Sequence, residues 1–154
     1  MWPELREEID LELAVIRQHL ETFAAARRQA EAAAPDPIQT AALGAMLQAS
    51  YNGVENIFKR IAVHCDGGPP RGDGWHTALR HRMIEPGTSR PPAISRSLAS
   101  EIGKYLRFRH VFRCAYATQL RWEDMAELVA DCRKVLGRLE SELHAFLKDA
   151  EKEQ

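Results

Sequence analysis

The sequence predicts an all-α fold, a bundle of four to five helices with one short helix in a Pro/Gly-rich crossover. Two patterns point there. Apolar residues recur at steps of three and four almost throughout, the spacing that draws a stripe down one helix face, and no segment alternates with the period of two expected of a half-buried strand. Helix breakers are concentrated as well: residues 66–92 hold five of the eight prolines and five of the nine glycines.

Leu5, Ile9, Leu13, Ile16, Leu20 and Phe23 place a first helix over about Pro3 to Ala34, ended by Pro35-Asp36-Pro37. Asp36 suits an N-cap, and Pro37 suits a first helical position, where its missing N–H costs nothing. Leu43, Leu47, Tyr51, Val54, Phe58 and Ile61 mark a second helix, which stops near Cys65-Asp66-Gly67-Gly68-Pro69-Pro70 because glycine loosens and proline blocks helix propagation. Trp75, Leu79 and Met83 suggest two or three helical turns inside the crossover. Ser95 or Ser97 caps the next helix, read through Leu98, Ile102, Tyr105, Phe108, Phe112 and Tyr116. A last helix opens near Trp122 and carries Met125, Leu128, Cys132, Val135, Leu139, Leu143 and Phe146.

The 154 residues suit one domain, 1–154, with a core of its own. Apolar residues make up 45% and charged residues 28%, a globular mix rather than a disordered one. No apolar run reaches the ~18–20 residues that span a bilayer, so no membrane is expected. The acidic start does not read as a secretory signal. Three cysteines without a CxxC pair argue against a disulfide or zinc scaffold and for a reducing, cytoplasmic setting.

The net charge of −1 conceals an asymmetry. Residues 1–70 carry a net −4 and residues 122–154 a net −4, whereas residues 71–121, with 10 Lys/Arg against 3 Asp/Glu, carry +7. A basic middle between acidic ends can mark a phosphate-binding face.

Within that middle, Arg109 lies on the apolar stripe, four after Tyr105 and three before Phe112. Arg113 and Tyr116 follow along one side, with Lys104, Arg107 and His110 on neighbouring faces. Glu55 sits on the stripe of the second helix, one turn after Asn52. A buried charge needs a partner, so an Arg109–Glu55 ion pair is the expectation. His110 and Cys114 are four apart on one face, but two ligands do not make a metal site, and none is expected. His76 and His81 read as solvated surface, and Cys65 and Cys132 as small apolar residues. Gly67-Gly68 is a helix stop rather than a phosphate loop, since no GK[ST] follows. No serine elbow or paired-carboxylate site is present, and no cofactor is implied.

Tyr105-Leu-Arg-Phe-Arg-His-Val-Phe-Arg-Cys-Ala-Tyr116, with Tyr51-Asn-Gly-Val-Glu-Asn-Ile-Phe58, Asp66-Gly-Gly-Pro-Pro-Arg71, Gly74-Trp75-His76 and Trp122, resembles the HepT-like branch of the HEPN superfamily over about residues 40–130. The resemblance implies a dimerising all-α bundle and a metal-independent ribonuclease toxin, with two copies of an R-x4-6-H motif meeting at the homodimer interface. It implies as partner a minimal nucleotidyltransferase antitoxin that modifies a tyrosine two residues beyond the motif histidine. Arg109 matches the arginine and Tyr116 the tyrosine; the histidine position is Cys114. Cleavage through the 2′-hydroxyl suits an imidazole, and a thiol with a reference pKa of about 8.5 suits it less. His110 points about 40° from Cys114 on an ideal helix and is a partial substitute.

On this reading Arg109 neutralises the scissile phosphate and Cys114 with His110 supplies acid–base chemistry. Lys104, Arg107 and Arg113 hold flanking phosphates of RNA, and Asn52 and Glu55 support them. The alternatives are a non-catalytic HEPN module that binds a nucleotide or nucleotidyltransferase, and a structural bundle in which a fully buried Arg109–Glu55 pair sets helix register.

Overall fold

Asp36 and Pro37 start the helix around which the others assemble. In the computed structural model, which describes residues 1–116 and 119–152, Asp36 Oδ1 accepts the Gln39 N–H at 2.8 Å and Gln39 Oε1 accepts the Asp36 N–H at 3.0 Å. This reciprocal cap satisfies two donors that a helix start leaves open. The helix is α3, Pro37–Cys65, preceded by α1 (Trp2–Thr22) and α2 (Ala24–Ala32) and followed by α4 (Trp75–Met83), α5 (Arg96–Cys114) and α6 (Trp122–Lys152). The described residues thus form six helices and no strand, the all-α class that the periodicity predicts. None of the helices is long and apolar enough to cross a membrane.

α3 packs against each of the other five helices. The predicted stripes converge on it: Leu5, Ile9 and Leu13 from α1, Leu98 and Ile102 from α5, and Leu139, Leu143 and Phe146 from α6 are buried against Leu43, Leu47, Phe58 and Ile61. Each such side chain contributes about 1.5–3 kcal/mol relative to exposure. α1 and α3 approach so closely at Gly53 that a β-carbon there would collide with Ile16. Helix five starts from Ser95, whose Oγ accepts the Leu98 N–H at 3.1 Å, and Ser97 is not the cap.

The single first helix expected over Pro3–Ala34 is two helices, interrupted at Phe23 (φ −97°, ψ 9°). No proline or glycine marks the break. The Leu20 carbonyl turns to accept the Phe23 N–H at 3.2 Å and the Arg27 guanidinium at 3.1 Å. Phe23 packs on the core from this bend. Side-chain replacement of a backbone bond therefore makes the corner, and residue spacing carries no trace of it. A second difference lies at the end of α5. α5 stops at Cys114, Ala115 is extended (φ −110°, ψ 151°), and Tyr116 lies beyond the helix rather than on its stripe.

The crossover is anchored by an arginine. Arg90, 0% exposed in its side chain, forms a two-point pair with Asp66 at 2.9 and 2.7 Å and donates to the carbonyls of Arg82, Glu85 and Pro91. Asp66 is the residue that ends α3, so the clamp closes the whole loop back onto that helix. Gly74 (φ +71°) supplies the left-handed turn from which α4 departs. Arg90→Ala leaves a buried carboxylate without its cation and is expected to cost about 3–5 kcal/mol. Urea unfolding should show a lower midpoint at unchanged slope, and Arg90→Lys, which lacks the two-point geometry, should recover only part of the loss.

Candidate functional site

The motif-bearing half of α5 faces the middle of α3. Arg109 is half-buried, and its Nε donates to Asn52 Oδ1 at 3.0 Å. Its terminal nitrogens make no hydrogen bond or ion pair among the described residues, and they are not among the buried polar atoms left without partners. The expected Arg109–Glu55 ion pair is not formed. Glu55, 5% exposed in its side chain, is instead held by His76 Nδ1 at 2.5 Å and Lys59 at 3.7 Å. The carboxylate on α3 has taken its compensation from α4 and from its own helix, and Arg109 keeps a guanidinium fixed at one edge and open at the other.

His76 is accordingly not the solvated surface residue its position on a short helix suggests. It is half-buried, hydrogen-bonded to Glu55, and stacked on Trp75 with ring centroids 3.6 Å apart. Lys59 Nζ lies 4.6 Å from the centre of the Trp75 ring. Nothing in the spacing of α4 reveals this burial. The available signal was Glu55 itself, a carboxylate on a buried stripe that demands a hydrogen-bond donor from whatever packs across it. His81, by contrast, is exposed as expected.

Tyr51, one turn before Glu55, closes the cluster. Burial, reinforced by the Glu55 carboxylate, pushes its hydroxyl well above the ordinary tyrosine range, while Arg109 and Arg80 pull it down. Those opposing effects place the Tyr51 hydroxyl within electrostatic reach of Glu55, Arg109 and Arg80 together. Arg80 crosses α5 at Gly103, donating to the Ala99 carbonyl at 2.9 Å. A β-carbon at Gly103 would collide with its guanidinium.

The remaining sequence candidates separate by exposure. His110, Arg113 and Cys114 are exposed along the last turns of α5, and Tyr116 just beyond is 79% exposed. Arg107 is exposed and lines a cleft of about 340 Å³ with Arg80, His81 and Arg96. Arg96 also reaches Glu85 at 2.9 Å. Lys104 is engaged by Glu101 at 3.2 Å and Glu127 at 3.7 Å, and the hydrogen bond and charge of Glu101 push its ammonium up. Arg107, Arg109 and Arg113 have no carboxylate partner among the described residues. Among the described residues no group of three His, Cys, Asp or Glu side chains is placed to hold a metal ion.

This arrangement lies inside a segment that a family model recognises: the model for HepT-like proteins matches residues 42–150. The chain belongs to the HepT-like family. It is thereby a HEPN-type module of the general kind found as toxins in toxin–antitoxin systems. No curated protein and no solved structure matches it. The matched HepT-like segment begins inside α3, runs through the crossover and both motif residues Arg109 and Tyr116, and ends in α6.

The three thiols differ sharply in setting. Cys65 and Cys132 are buried and Cys114 is exposed. Burial pushes the Cys65 thiol up to about 11, and burial raises Cys132 as well. A thiol with a raised pKa stays protonated at pH 8, and the thiolate is the reacting form. A disulfide reagent at pH 8 should therefore titrate one thiol of the native HepT-like chain quickly, and all three only after denaturation. Cys114→Ser should remove the fast phase.

Proposed function

We propose that this chain, residues 1–154 acting as one HEPN-like domain, is a HepT-like ribonuclease toxin that cleaves RNA without a metal at a homodimer interface. The observation that carries the reading is the state of Arg109. A register-setting arginine would be fully buried and paired to Glu55; this one is half-buried, tied through Nε to Asn52, with its terminal N–H groups unclaimed among the described residues. A guanidinium oriented in this way is suited to the two non-bridging oxygens of a phosphate. Arg113 and Arg107, exposed and without carboxylate partners among the described residues, would hold flanking phosphates. Lys104 would do so less freely, because it must first leave Glu101.

Val111 and Tyr116 are large exposed apolar residues beside the motif, 55% and 79% exposed, and a second copy would cover them. The exposure of Tyr116 also supports its role as the hydroxyl that a nucleotidyltransferase antitoxin modifies. Transfer of a nucleotide there would add negative charge and bulk near Arg109 and so compete with RNA. The substitution at Cys114 favours one alternative specifically, a non-catalytic module that binds a nucleotide or a nucleotidyltransferase through the same residues.

Purified protein incubated with RNA tests the reading. Wild type is expected to cleave weakly, Arg109→Ala to lose cleavage, and Cys114→His to gain about 100-fold, the lower end of what a positioned acid–base group supplies. No gain in Cys114→His would show that position 114 does not face the reacting phosphate. Binding of RNA or partner without cleavage by either protein would favour the non-catalytic module.

A further inference from the structure

The buried Glu55 carboxylate binds a histidine on one side, and its neighbour one turn away binds the free arginine. Asn52 and Glu55 are three apart on α3, so their side chains leave the same face with β-carbons about 5–6 Å apart. Asn52 holds Arg109 Nε at 3.0 Å, and Glu55 holds His76 Nδ1. The two anchors therefore bring a phosphate-binding group from α5 and an imidazole from α4 to one stretch of α3, where Tyr51 lies within electrostatic range of Glu55 and Arg109.

The imidazole is set for proton transfer rather than packing alone. A carboxylate bound at Nδ1 fixes the ring and its tautomer, leaving Nε2 as the working nitrogen. His76 Nε2 makes no hydrogen bond among the described residues, and it is not one of the buried polar atoms left without a partner, so it is open to solvent. The stack on Trp75, itself covered by Lys59, holds the ring from a second side. Position 114, at the exposed end of α5, carries no imidazole.

We propose that His76, oriented by Glu55, is the proton-accepting group of the site in which Arg109 binds the scissile phosphate. This rests on the ribonuclease reading above. His76 Nε2 takes the proton of the RNA 2′-hydroxyl as the 2′ oxygen bonds to the adjacent phosphorus. The bond from phosphorus to the 5′ oxygen breaks, and that oxygen leaves with a proton from water. The products are a 2′,3′-cyclic phosphate and a 5′-hydroxyl, and the imidazolium then returns its proton to solvent. His76 meets Glu55, which Lys59 also reaches, and Arg80 follows one turn further along α4; Tyr51, next to Glu55, and Arg109, held by Asn52, belong to the same stretch of α3.

The test is cleavage of purified total RNA by the full chain, read as 2′,3′-cyclic phosphate ends formed across pH 5 to 9. Wild type should lose kcat on the acid side, where the accepting nitrogen is already protonated. His76→Gln should lower kcat about 100-fold or more, with KM little changed, and should abolish the acid-side fall. Added imidazole should restore part of the rate to His76→Ala, a recovery that repair of packing would not give. Circular dichroism on both variants separates loss of fold from loss of chemistry. Cleavage that depends on Arg109 but keeps its wild-type rate and acid-side fall in His76→Gln would overturn the assignment of His76 and leave the ribonuclease reading standing. So would a folded His76→Ala that imidazole does not rescue. Absence of any Arg109-dependent cleavage by wild type would overturn both.

Discussion

Glu55 is a carboxylate in a place where water cannot solvate it, and the middle of the structure is arranged around that fact. An uncompensated buried charge costs several kcal/mol, so hydrogen-bond donors or cations must be brought to it. The nearest in sequence, Lys59, reaches only to 3.7 Å from the same helix. The close partner is His76, which is available only because the crossover folds α4 back over α3. That return is in turn secured by Arg90 on Asp66 at the end of α3. One buried charge, one returning helix and one clamp thus form a connected unit. Its consequence for α5 is that Arg109 is released from neutralising Glu55 and needs only the amide of Asn52 to hold it.

The basic middle of the chain is not uniformly a binding face. Its cations sort into three physical roles. Arg90 is wholly buried and structural, and Arg82 donates to the Gly68 carbonyl at 2.7 Å, so both serve the crossover. Arg96 and Lys104 are matched by surface carboxylates, pairs that contribute little to stability and that phosphate oxygens could replace. Arg107, Arg109 and Arg113, along one helix, have no carboxylate partner among the described residues, and neither do Arg71 in the loop and Arg80, which donates to the Ala99 carbonyl. The local excess of positive charge is therefore concentrated where the family motif runs, although a large part of it is spent on holding the loop.

The helical class, the capped start at Asp36, the short helix at Trp75 and the stripes of α3, α5 and α6 were all legible in the sequence, because each is written in local spacing and turn chemistry. The corner at Phe23 was not, since it arises from the Arg27 side chain reaching back seven residues to the Leu20 carbonyl in place of a backbone bond. For the site, the burial of Glu55 and the closeness of Arg109 to Asn52 and Glu55 follow from helical registers. The choice of partner does not. Whether Glu55 takes Arg109 or His76 depends on how a loop of prolines and glycines sets the position of α4, and periodicity holds no information about that. Likewise Tyr116 reads as a continuation of the stripe until Ala115 turns extended.

The division of charge between Glu55, His76 and Arg109 is tested most directly by paired double-mutant cycles on folding stability. Glu55→Gln is combined once with His76→Gln and once with Arg109→Gln. A coupling between Glu55 and His76 of about 1 kcal/mol or more, with coupling to Arg109 near zero, is the expected result for contacting and non-contacting pairs. The reverse pattern, strong coupling to Arg109 and none to His76, would mean that Arg109 neutralises the buried carboxylate in solution, and it would contradict the assignment of a free guanidinium at this site.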